Sequence, residues 1–355
     1  MNIQRPHLQS QLEAIFAAWG MSDEHARITA LRLTDADIRG IDSHGVTLVP
    51  LYAQLRAEGQ INFRPNIRVV RESPVTALVD ADHMLGHVPS TIAMEIAIRK
   101  AKQTGLAAVA VNNSNHYGAA GVYGVLAADE GLIGMSTTSV WHGAVVPTFG
   151  KEPMFGTNPL AFVAPGKKHR MFFLDMATST VAVGKLKLAH IHGKPIHEGW
   201  AMDREGRLTT DPDVGLEAMR LTPLGGSRVM SSHKGYGLAA MVEILSSMVP
   251  GAFYAPTREQ RHPDARYWNI GHFFLAMDPK AFRGEGEFED DLDDMIDALH
   301  AVTPVDPKQP VLVAGDPEEK AMAERTKNGI PVPDNLLAQV RDVAKEAGAP
   351  WLLGQ

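Results

Sequence analysis

The sequence predicts a mixed α/β protein in which two helical ends enclose a sheet-rich middle. Apolar residues recur at helical spacing near both ends, whereas short β-rich runs alternate with glycine-bounded helices between them. The alternation is irregular and carries no dinucleotide fingerprint, so a conventional Rossmann domain is not expected. We predict a helical domain formed by residues 1–70 with 285–355 and a second domain, built on the sheet, from residues 71–284.

Three helices are predicted at the amino-terminal end. An apolar stripe predicts a first helix that ends at Gly20. Ser22 can accept a hydrogen bond from a free backbone N–H, so it should cap a second helix that reaches about Gly40. A third helix is expected from after Gly45 to about Gly59.

Strands and helices alternate through the middle of the chain. The predicted strands are "TALVDA", "LAAVAV", "LIGMSTTSV", "NPLAFVAPG", "MFFLDMAT" and "GHFFLAMDP". Helices are expected over 89–105, 119–130 and about 180–190, and from "KGYGLAAMVEILSSM". The helical pattern returns after residue 290 and ends with "DNLLAQVRDVAKEAG".

Composition limits the classes of function. The 355 residues carry a net charge of −7 without a basic run, which argues against a nucleic-acid partner. The chain has no cysteine, so thiolate nucleophiles, disulfides and cysteine-ligated metals are excluded. The most apolar helical segment, 236–249, is too short to span a membrane, and no signal peptide is evident. A cytoplasmic protein without a membrane partner is expected.

The stretch "IDSHGV", residues 41–46, is the first candidate site. An imidazole titrates near neutrality, so His44 could give or take a proton from a substrate. A Ser–His hydrolase is an alternative, but a nucleophile elbow has the pattern G-x-S-x-G on a strand-to-helix turn, and this stretch lies between helices. A structural alternative also stays open, in which Ser43 caps the third helix beside a non-functional His44.

Two further segments indicate a ligand pocket. "NNSNHYGAAG", 112–121, places His116 and glycines at the carboxyl end of a strand, where open sheets bind ligands. "SSHKGYGL", 231–238, places Lys234 at the start of a helix, where the helix dipole disfavours a cation and an anionic ligand would justify it. The segments together predict a pocket for a small anionic substrate and a phosphate-bearing cofactor.

Neither histidine-rich nor acid-rich segments predict a metal site. "HIHGKPIH", 190–197, has no nearby carboxylate at suitable spacing, and it is interpreted as a solvent-facing turn. "EFEDDLDDMIDALH", 287–300, lacks the alternating ligands and central glycine of a calcium loop, and it is interpreted as a solvated helix face. No metal is expected.

At these segments the chain resembles the type 2 malate/L-lactate dehydrogenase family, over roughly residues 10 to 345. That family includes ureidoglycolate and sulfolactate dehydrogenases, diketogulonate reductase and reductases of cyclic imines such as piperideine-2-carboxylate. The matching landmarks are "DSHGV", "NNSNHYGAAG", "FGTNPLAF", "LDMATSTVAVGK", "GWAMDREGRLTTDP", "HKGYGL", "GHFFLAMDP" and "NGIPVP". The resemblance implies a non-Rossmann nicotinamide enzyme using NAD or NADP. Its cofactor domain would have a mixed, partly antiparallel sheet, both termini would form its helical domain, and it would be a homodimer or a dimer of dimers.

The resemblance also implies roles for individual residues. His44 would be the proton donor and acceptor, oriented by Ser43, with His116 as a second acid/base and Asp203 completing a relay. The expected substrate contacts are Tyr52, His142, Asn158 and Lys185. The expected cofactor contacts are Tyr117, Gly118, Asp175, Met176, Ala177, Thr178, Lys234, Gly235, Gly315 and Asp316.

One departure from the family pattern concerns the substrate. The family has Arg four positions after the histidine to bind the substrate carboxylate, and this chain has Leu48 there. An aliphatic side chain cannot replace a bidentate guanidinium. Either Lys185, Lys234 or a protonated His142 binds the carboxylate, or the substrate differs, and the aromatic "WHG" at 141–143 suits a less polar or ring-shaped one.

The predicted reaction is therefore hydride transfer between a nicotinamide and C2 of a 2-hydroxy or 2-oxo acid. Reduction of cyclic 2-imino acids on the same site is the alternative. A Ser–His hydrolase and a non-catalytic binding protein remain as competitors from other classes.

Overall fold

The computed structural model describes residues 1–354. The helices are α1 (Arg5–Ala18), α2 (Asp23–Ile38), α3 (Val49–Ala57), α4 (His87–Thr104), α5 (Gly121–Ala128), α6 (Val183–Ile191), α7 (Pro212–Ala218), α8 (Ser232–Glu243), α9 (Arg258–Arg261), α10 (Glu287–His300), α11 (Asp316–Asn328) and α12 (Asp334–Ala347). The described part of the chain contains no helix with both the length and the apolarity that a bilayer crossing requires.

The strands form one large sheet and two small ones. They are β1 (Asn2–Ile3), β2 (Arg68–Glu72), β3 (Thr76–Asp80), β4 (Leu106–Ser114), β5 (Ile133–Thr138), β6 (Leu160–Pro165), β7 (Met171–Met176), β8 (Ala201–Met202), β9 (Leu208–Thr209), β10 (Arg220–Leu221), β11 (Ile270–Met277) and β12 (Ile330–Pro331). The large sheet has the order β2-β3-β4-β11-β5-β6-β7. Only β3 and β4 pair in parallel. The predicted mixed, partly antiparallel sheet is thus confirmed.

The centre of this sheet is occupied by β4 and β11. Phe274 pairs with Val109 in antiparallel register, and both side chains are fully buried. One core cluster joins these strands to α4 and α5. Because β-branched and aromatic side chains pack well on a pleated surface, this core fixes the position of the loop that follows β4.

The two ends of the chain pack together, as predicted. Leu12 of α1, Leu33 of α2 and Val340 of α12 share one buried cluster, and β1 pairs with β12 through Ile3 and Ile330. Full burial of one such aliphatic side chain stabilises the fold by about 1.5–3 kcal/mol. The helical end therefore depends on both termini.

Helix α10 contacts the large sheet. Leu292 and Ile296 lie in one buried cluster with Ile133 of β5 and Ala164 of β6. The helix that we assigned to the terminal domain thus has its apolar face on the sheet. The domain boundary at residue 285 stays a prediction.

Candidate active site

The connector between α2 and α3, residues 42–46, is held from its inner side by Asp37. The Asp37 carboxylate accepts a hydrogen bond from the Val46 N–H at 2.9 Å. A Cβ on Gly45 would lie 1.8 Å from Oδ1 of Asp37, so no side chain fits at position 45. The glycine is required by this close approach.

Arg325 of α11 holds the outer side of the connector. Its Nη2 donates to Oδ2 of Asp42 at 3.0 Å, and its Nη1 donates to the other oxygen of Asp42 and to the backbone carbonyl of Asp37. Because guanidinium and carboxylate meet bidentately, this contact fixes direction as well as charge. Arg325 and Asp42 are 283 residues apart, and no sequence pattern indicates this contact.

His44 stands between these two anchors with one ring nitrogen engaged. Its Nδ1 lies 2.8 Å from Oγ of Ser43, whereas Nε2 has no hydrogen-bond partner among residues 1–354. Desolvation lowers the pKa of His44 below its ordinary 6.5, so the ring is neutral at physiological pH. The predicted cap is wrong, since α3 begins at Val49 without a side-chain cap and Ser43 bonds to His44 instead.

His116 lies beside His44 and is fixed in one tautomer. The two rings are nearly parallel, with centroids 5.9 Å apart. Nδ1 of His116 lies 2.8 Å from the Tyr52 hydroxyl and accepts from the Gly118 N–H at 3.3 Å. Because a backbone N–H can only donate, Nδ1 is the acceptor and the neutral ring carries its proton on Nε2.

The pKa of His116 is lowered well below 6.5, first by burial and then by repulsion from His44 and His87. The ring therefore stays neutral and offers a hydrogen bond from Nε2. Tyr52, expected to touch the substrate, is itself fully buried and holds this ring.

Two further buried histidines lie beneath the site. His272 is held between the hydroxyls of Thr138, at 2.7 Å, and Ser114, at 2.8 Å. Burial lowers the pKa of His87 and of His272 to about 3. A Cβ on Gly118 would lie 2.9 Å from Nε2 of His87, which explains the glycine. These rings form an uncharged floor.

Aromatic side chains line the site next to His116. The Trp141 ring meets the His116 ring edge-on, with ring centroids 5.8 Å apart, and stacks on the Trp268 ring with centroids 4.7 Å apart. His142 is exposed beside Trp141. Desolvation lowers the pKa of His142, so it is neutral near pH 7 and does not supply the cation that the missing arginine leaves open.

The first group of predicted cofactor residues meets at the end of β7. Oδ2 of Asp175 accepts from the Gly121 N–H at 2.7 Å, and burial raises the pKa of Asp175 to about 6. A Cβ on Gly315 would lie 3.2 Å from the Phe173 backbone nitrogen, so the loop before α11 passes closely over β7. The carboxylate of the neighbouring Asp316 already has two partners in the protein, because it accepts a hydrogen bond from the Val313 N–H and bonds to His300.

The second group lies where residues 175–178 run towards α8. The Thr178 carbonyl accepts from the Leu224 N–H at 2.9 Å. A Cβ on Gly235 would lie 2.3 Å from the Leu224 carbonyl oxygen. Lys234 is exposed in the first turn of α8 and makes no ion pair within residues 1–354. Tyr117, by contrast, is buried and stacks on the floor of the site, against His272.

Three predicted site residues make no hydrogen bond or ion pair with His44 within residues 1–354. The Asp203 carboxylate accepts from the Arg207 N–H and Nε within its own hairpin, which lowers its pKa. Lys185 is exposed on α6. Asn158 is fully buried, and its amide donates to Glu243 at 2.8 Å. Their assigned roles stay predictions.

A group of possible metal ligands lies away from this site. Ligand atoms of His169, Asp297 and His300 fall within 4.8 Å of one another. The Lys168 ammonium donates to both oxygens of Asp297, at 2.7 and 2.6 Å, and His300 bonds to Asp316. These contacts describe an ion-pair network joining α10 to the β6–β7 turn and α11.

Comparison with known proteins decides the family. Residues 3–341 match the malate/L-lactate dehydrogenase family, and this span includes every site residue named above. The chain belongs to this family. It is an oxidoreductase that acts on a CH–OH group, and the dehydrogenases of the malate/L-lactate family depend on nicotinamide cofactors.

Relatives within the malate/L-lactate dehydrogenase family carry several activities. The chain is 38% identical to a malate dehydrogenase of Pyrococcus horikoshii, covering 99% of this chain and 97% of that one. It is 38% identical to an L-sulfolactate dehydrogenase of Methanocaldococcus jannaschii, covering 94% of each. The family thus spans more than one substrate at similar identity.

Solved structures of the family share the fold. Malate dehydrogenase from Entamoeba histolytica superposes with a TM-score of 0.93 at 32% identity, covering 99% of both chains. A Δ1-piperideine-2-carboxylate reductase from Pseudomonas syringae superposes with a TM-score of 0.85 at 28% identity, covering 97% of this chain and 100% of the other.

The predicted site residues fit a nicotinamide dinucleotide chemically. Nε2 of His44 is free to exchange a proton with a substrate. Lys234 offers an exposed cation for a phosphate group. The partly exposed segment 175–177 offers backbone and carboxyl groups for an amide or a ribose.

Proposed function

We propose that this protein transfers a hydride between a nicotinamide, of NAD or NADP, and C2 of a 2-hydroxy or 2-oxo acid. His44 is the proton donor and acceptor. The observation that carries this proposal is the His44 ring, held at Nδ1 by Ser43 and free at Nε2, beside the neutral donor His116. When bound, the cofactor supplies or accepts the hydride at its ring carbon.

His44 handles the proton that accompanies the hydride. In the oxidation of a CH–OH group, Nε2 takes the hydroxyl proton while the C2 hydrogen leaves with its electron pair, and the carbonyl forms. The Nδ1–H of the resulting imidazolium remains hydrogen-bonded to Ser43 at 2.8 Å. Because desolvation lowers the pKa of His44, the accepting form dominates near pH 7, and the reverse reduction should weaken as pH rises.

His116 orients the substrate oxygen. Its Nε2–H is a fixed donor because Nδ1 accepts from Gly118 and Tyr52. A hydrogen bond from Nε2–H to the substrate oxygen stabilises the charge that develops there when hydride is added to the carbonyl. This role requires no change in the protonation of His116.

The aromatic lining favours a second candidate substrate class, the cyclic 2-imino acids. Trp141 and Trp268 stack as a flat wall next to His116, and Leu48 packs against the helical core where the family has arginine. An apolar wall suits a ring-shaped substrate better than a dicarboxylate. The likeness to a piperideine-2-carboxylate reductase is compatible with this class.

Kinetics of a His44→Ala variant test the proposal. Absorbance at 340 nm would be followed with a panel of 2-oxo acids and cyclic imines, with NADH and with NADPH. His44→Ala should lower kcat by about 10²–10⁴-fold, because a general acid/base contributes a factor of that size, while the cofactor still quenches tryptophan fluorescence.

The matched control is His190→Ala, since His190 is exposed on α6, and it should retain wild-type turnover. Unchanged turnover in His44→Ala would rule out the assigned role. Labelling of Ser43 by a fluorophosphonate, with cofactor-free ester cleavage, would favour the hydrolase instead.

We also propose that the protein is a homodimer. Met241, Ile244 and Met248 lie on one face at the end of α8 and in the following π-helical turn, and they are 38%, 50% and 57% exposed. Exposed apolar rows of this kind mark association surfaces. Light scattering coupled to gel filtration should give twice the chain mass, and Ile244→Glu should shift it to the monomer.

A further inference from the structure

Asp37, at the end of α2, is a buried carboxyl group that the proposed chemistry does not use. It is 1% exposed, and within residues 1–354 its carboxylate makes no ion pair. Asp35, on the same turn of the helix, is instead paired with Arg5 and Arg32. Burying an unpaired carboxyl group costs free energy, so a structural or functional gain must offset it.

The hydrogen bonds of the connector show where Asp37 acts. Asp42, two residues before His44, is bound by Arg325. On the other side, Val46 donates to the Asp37 carboxylate at 2.9 Å, and the carboxylate fills the space next to Cα of Gly45. The backbone of His44 is therefore held between two anchors.

We propose that Asp37 is a positioning residue for His44, whose carboxyl group holds Gly45 and Val46 and thereby sets where the imidazole presents Nε2. This inference rests on the function proposed above. It assigns Asp37 no contact with substrate or cofactor; Asp37 acts through the connector.

The charged groups around Asp37 set its pKa and therefore the pH range in which its carboxyl group is neutral. Burial first, and repulsion from Asp42 to a smaller extent, raise the pKa of Asp37 to about 8, although the Val46 N–H, Arg325 of α11 and Arg5 of α1 lower it. The carboxyl group is therefore mostly neutral at pH 7. Above pH 8 it becomes a buried anion close to Asp42, and the cost of burying that charge disfavours the arrangement in which Asp37 holds Gly45 and Val46.

Three substitutions separate these contributions. Asp37→Asn keeps an acceptor for Val46 and cannot ionise, so its kcat for oxidation of a 2-hydroxy acid, the direction that needs neutral His44, should stay close to wild type at pH 7 and should not show the decline of the wild type above pH 8. Asp37→Ala removes the anchor and should lower kcat by about 10–100-fold with cofactor affinity unchanged, because small misplacements of a catalytic group have effects of this size. Asp35→Asn, on the same helix, is the control and should keep the wild-type pH profile.

A folded Asp37→Ala protein with wild-type kcat would overturn the proposal. So would an Asp37→Asn protein whose kcat for oxidation falls above pH 8 as that of the wild type does. If Asp37→Ala does not fold, Gly45→Ala takes its place, since the added methyl group would collide with the carboxylate; it should produce the same loss of kcat.

A readout independent of turnover separates this inference from the proposed function. In protein labelled with ¹³C in the histidine rings, the His44 signal is assigned by its loss in His44→Ala. In Asp37→Ala this signal should shift and titrate closer to the ordinary pKa of 6.5, while the signal of His190 is unchanged. A shifted signal in an enzyme that reduces none of the oxo or imino acids would defeat the proposed function alone, and an unshifted His44 signal would defeat the role of Asp37.

Discussion

Replacing Asp37 with Asn should change how the stability of the protein depends on pH. Burial raises the pKa of Asp37 from 3.8 to about 8, so between these values the folded chain keeps a proton that the unfolded chain has released. The stabilisation by this proton is complete below pH 4 and is lost as pH rises to 8. One proton corresponds to about 1.4 kcal/mol per pH unit. The wild type should therefore lose about 3 kcal/mol relative to Asp37→Asn between pH 5.5 and pH 7.5.

Urea unfolding followed by fluorescence of the five tryptophans measures this difference. Wild type, Asp37→Asn and Asp35→Asn would be unfolded at pH 5.5, 6.5 and 7.5. The free energy of unfolding of Asp35→Asn should run parallel to that of the wild type, because the Asp35 carboxylate is paired with Arg5 and Arg32 and is ionised throughout this pH interval. A gap between wild type and Asp37→Asn that stays constant over this interval would refute a proton held at Asp37.

Three other substitutions test the surroundings of His44. Tyr52→Phe removes the hydroxyl that lies 2.8 Å from Nδ1 of His116. The free energy of unfolding in urea should fall by about 1 kcal/mol, and kcat should fall more than KM changes. Kinetics identical to wild type would contradict the positioning of His116 by Tyr52. Arg325→Lys keeps the positive charge but loses the bidentate contact with Asp42. The kcat should fall about tenfold, while the circular dichroism spectrum is unchanged. An unaltered kcat would exclude a role of Arg325 in holding the connector. Leu48→Arg should lower KM for dicarboxylic 2-oxo acids by supplying a bidentate cation; constant KM values would show that position 48 does not face the substrate.

Features set by neighbouring residues could be predicted from the sequence. Ser22 caps α2 by accepting from the His25 N–H at 3.3 Å, and α1 ends before Gly20, which has a φ of +101°. These outcomes depend on local backbone and side-chain chemistry. Helix α8 departs from the prediction, because it changes to a π-helical turn over 244–248 after the buried Glu243.

Contacts between distant residues could not be predicted in this way. Tyr52 and His116 are 64 residues apart, and no local pattern indicates that one fixes the tautomer of the other. Asp37 gave a weak signal, since it is an acidic residue next to the buried positions of α2, but helix periodicity does not reveal the turn that it would bind. The family resemblance indicated His44 and Ser43 and gave no indication of Asp37 or Arg325.

The position of β11 has a consequence for how the protein is made. Residues 270–277 separate β4 from β5, so both inner strands expose unpaired edges on the ribosome until most of the chain has emerged. Arg325, which binds Asp42 of the connector, is translated later still. Chains released early should therefore be inactive and prone to aggregate through these edges, and their dependence on chaperones should end only when the last quarter of the polypeptide is complete.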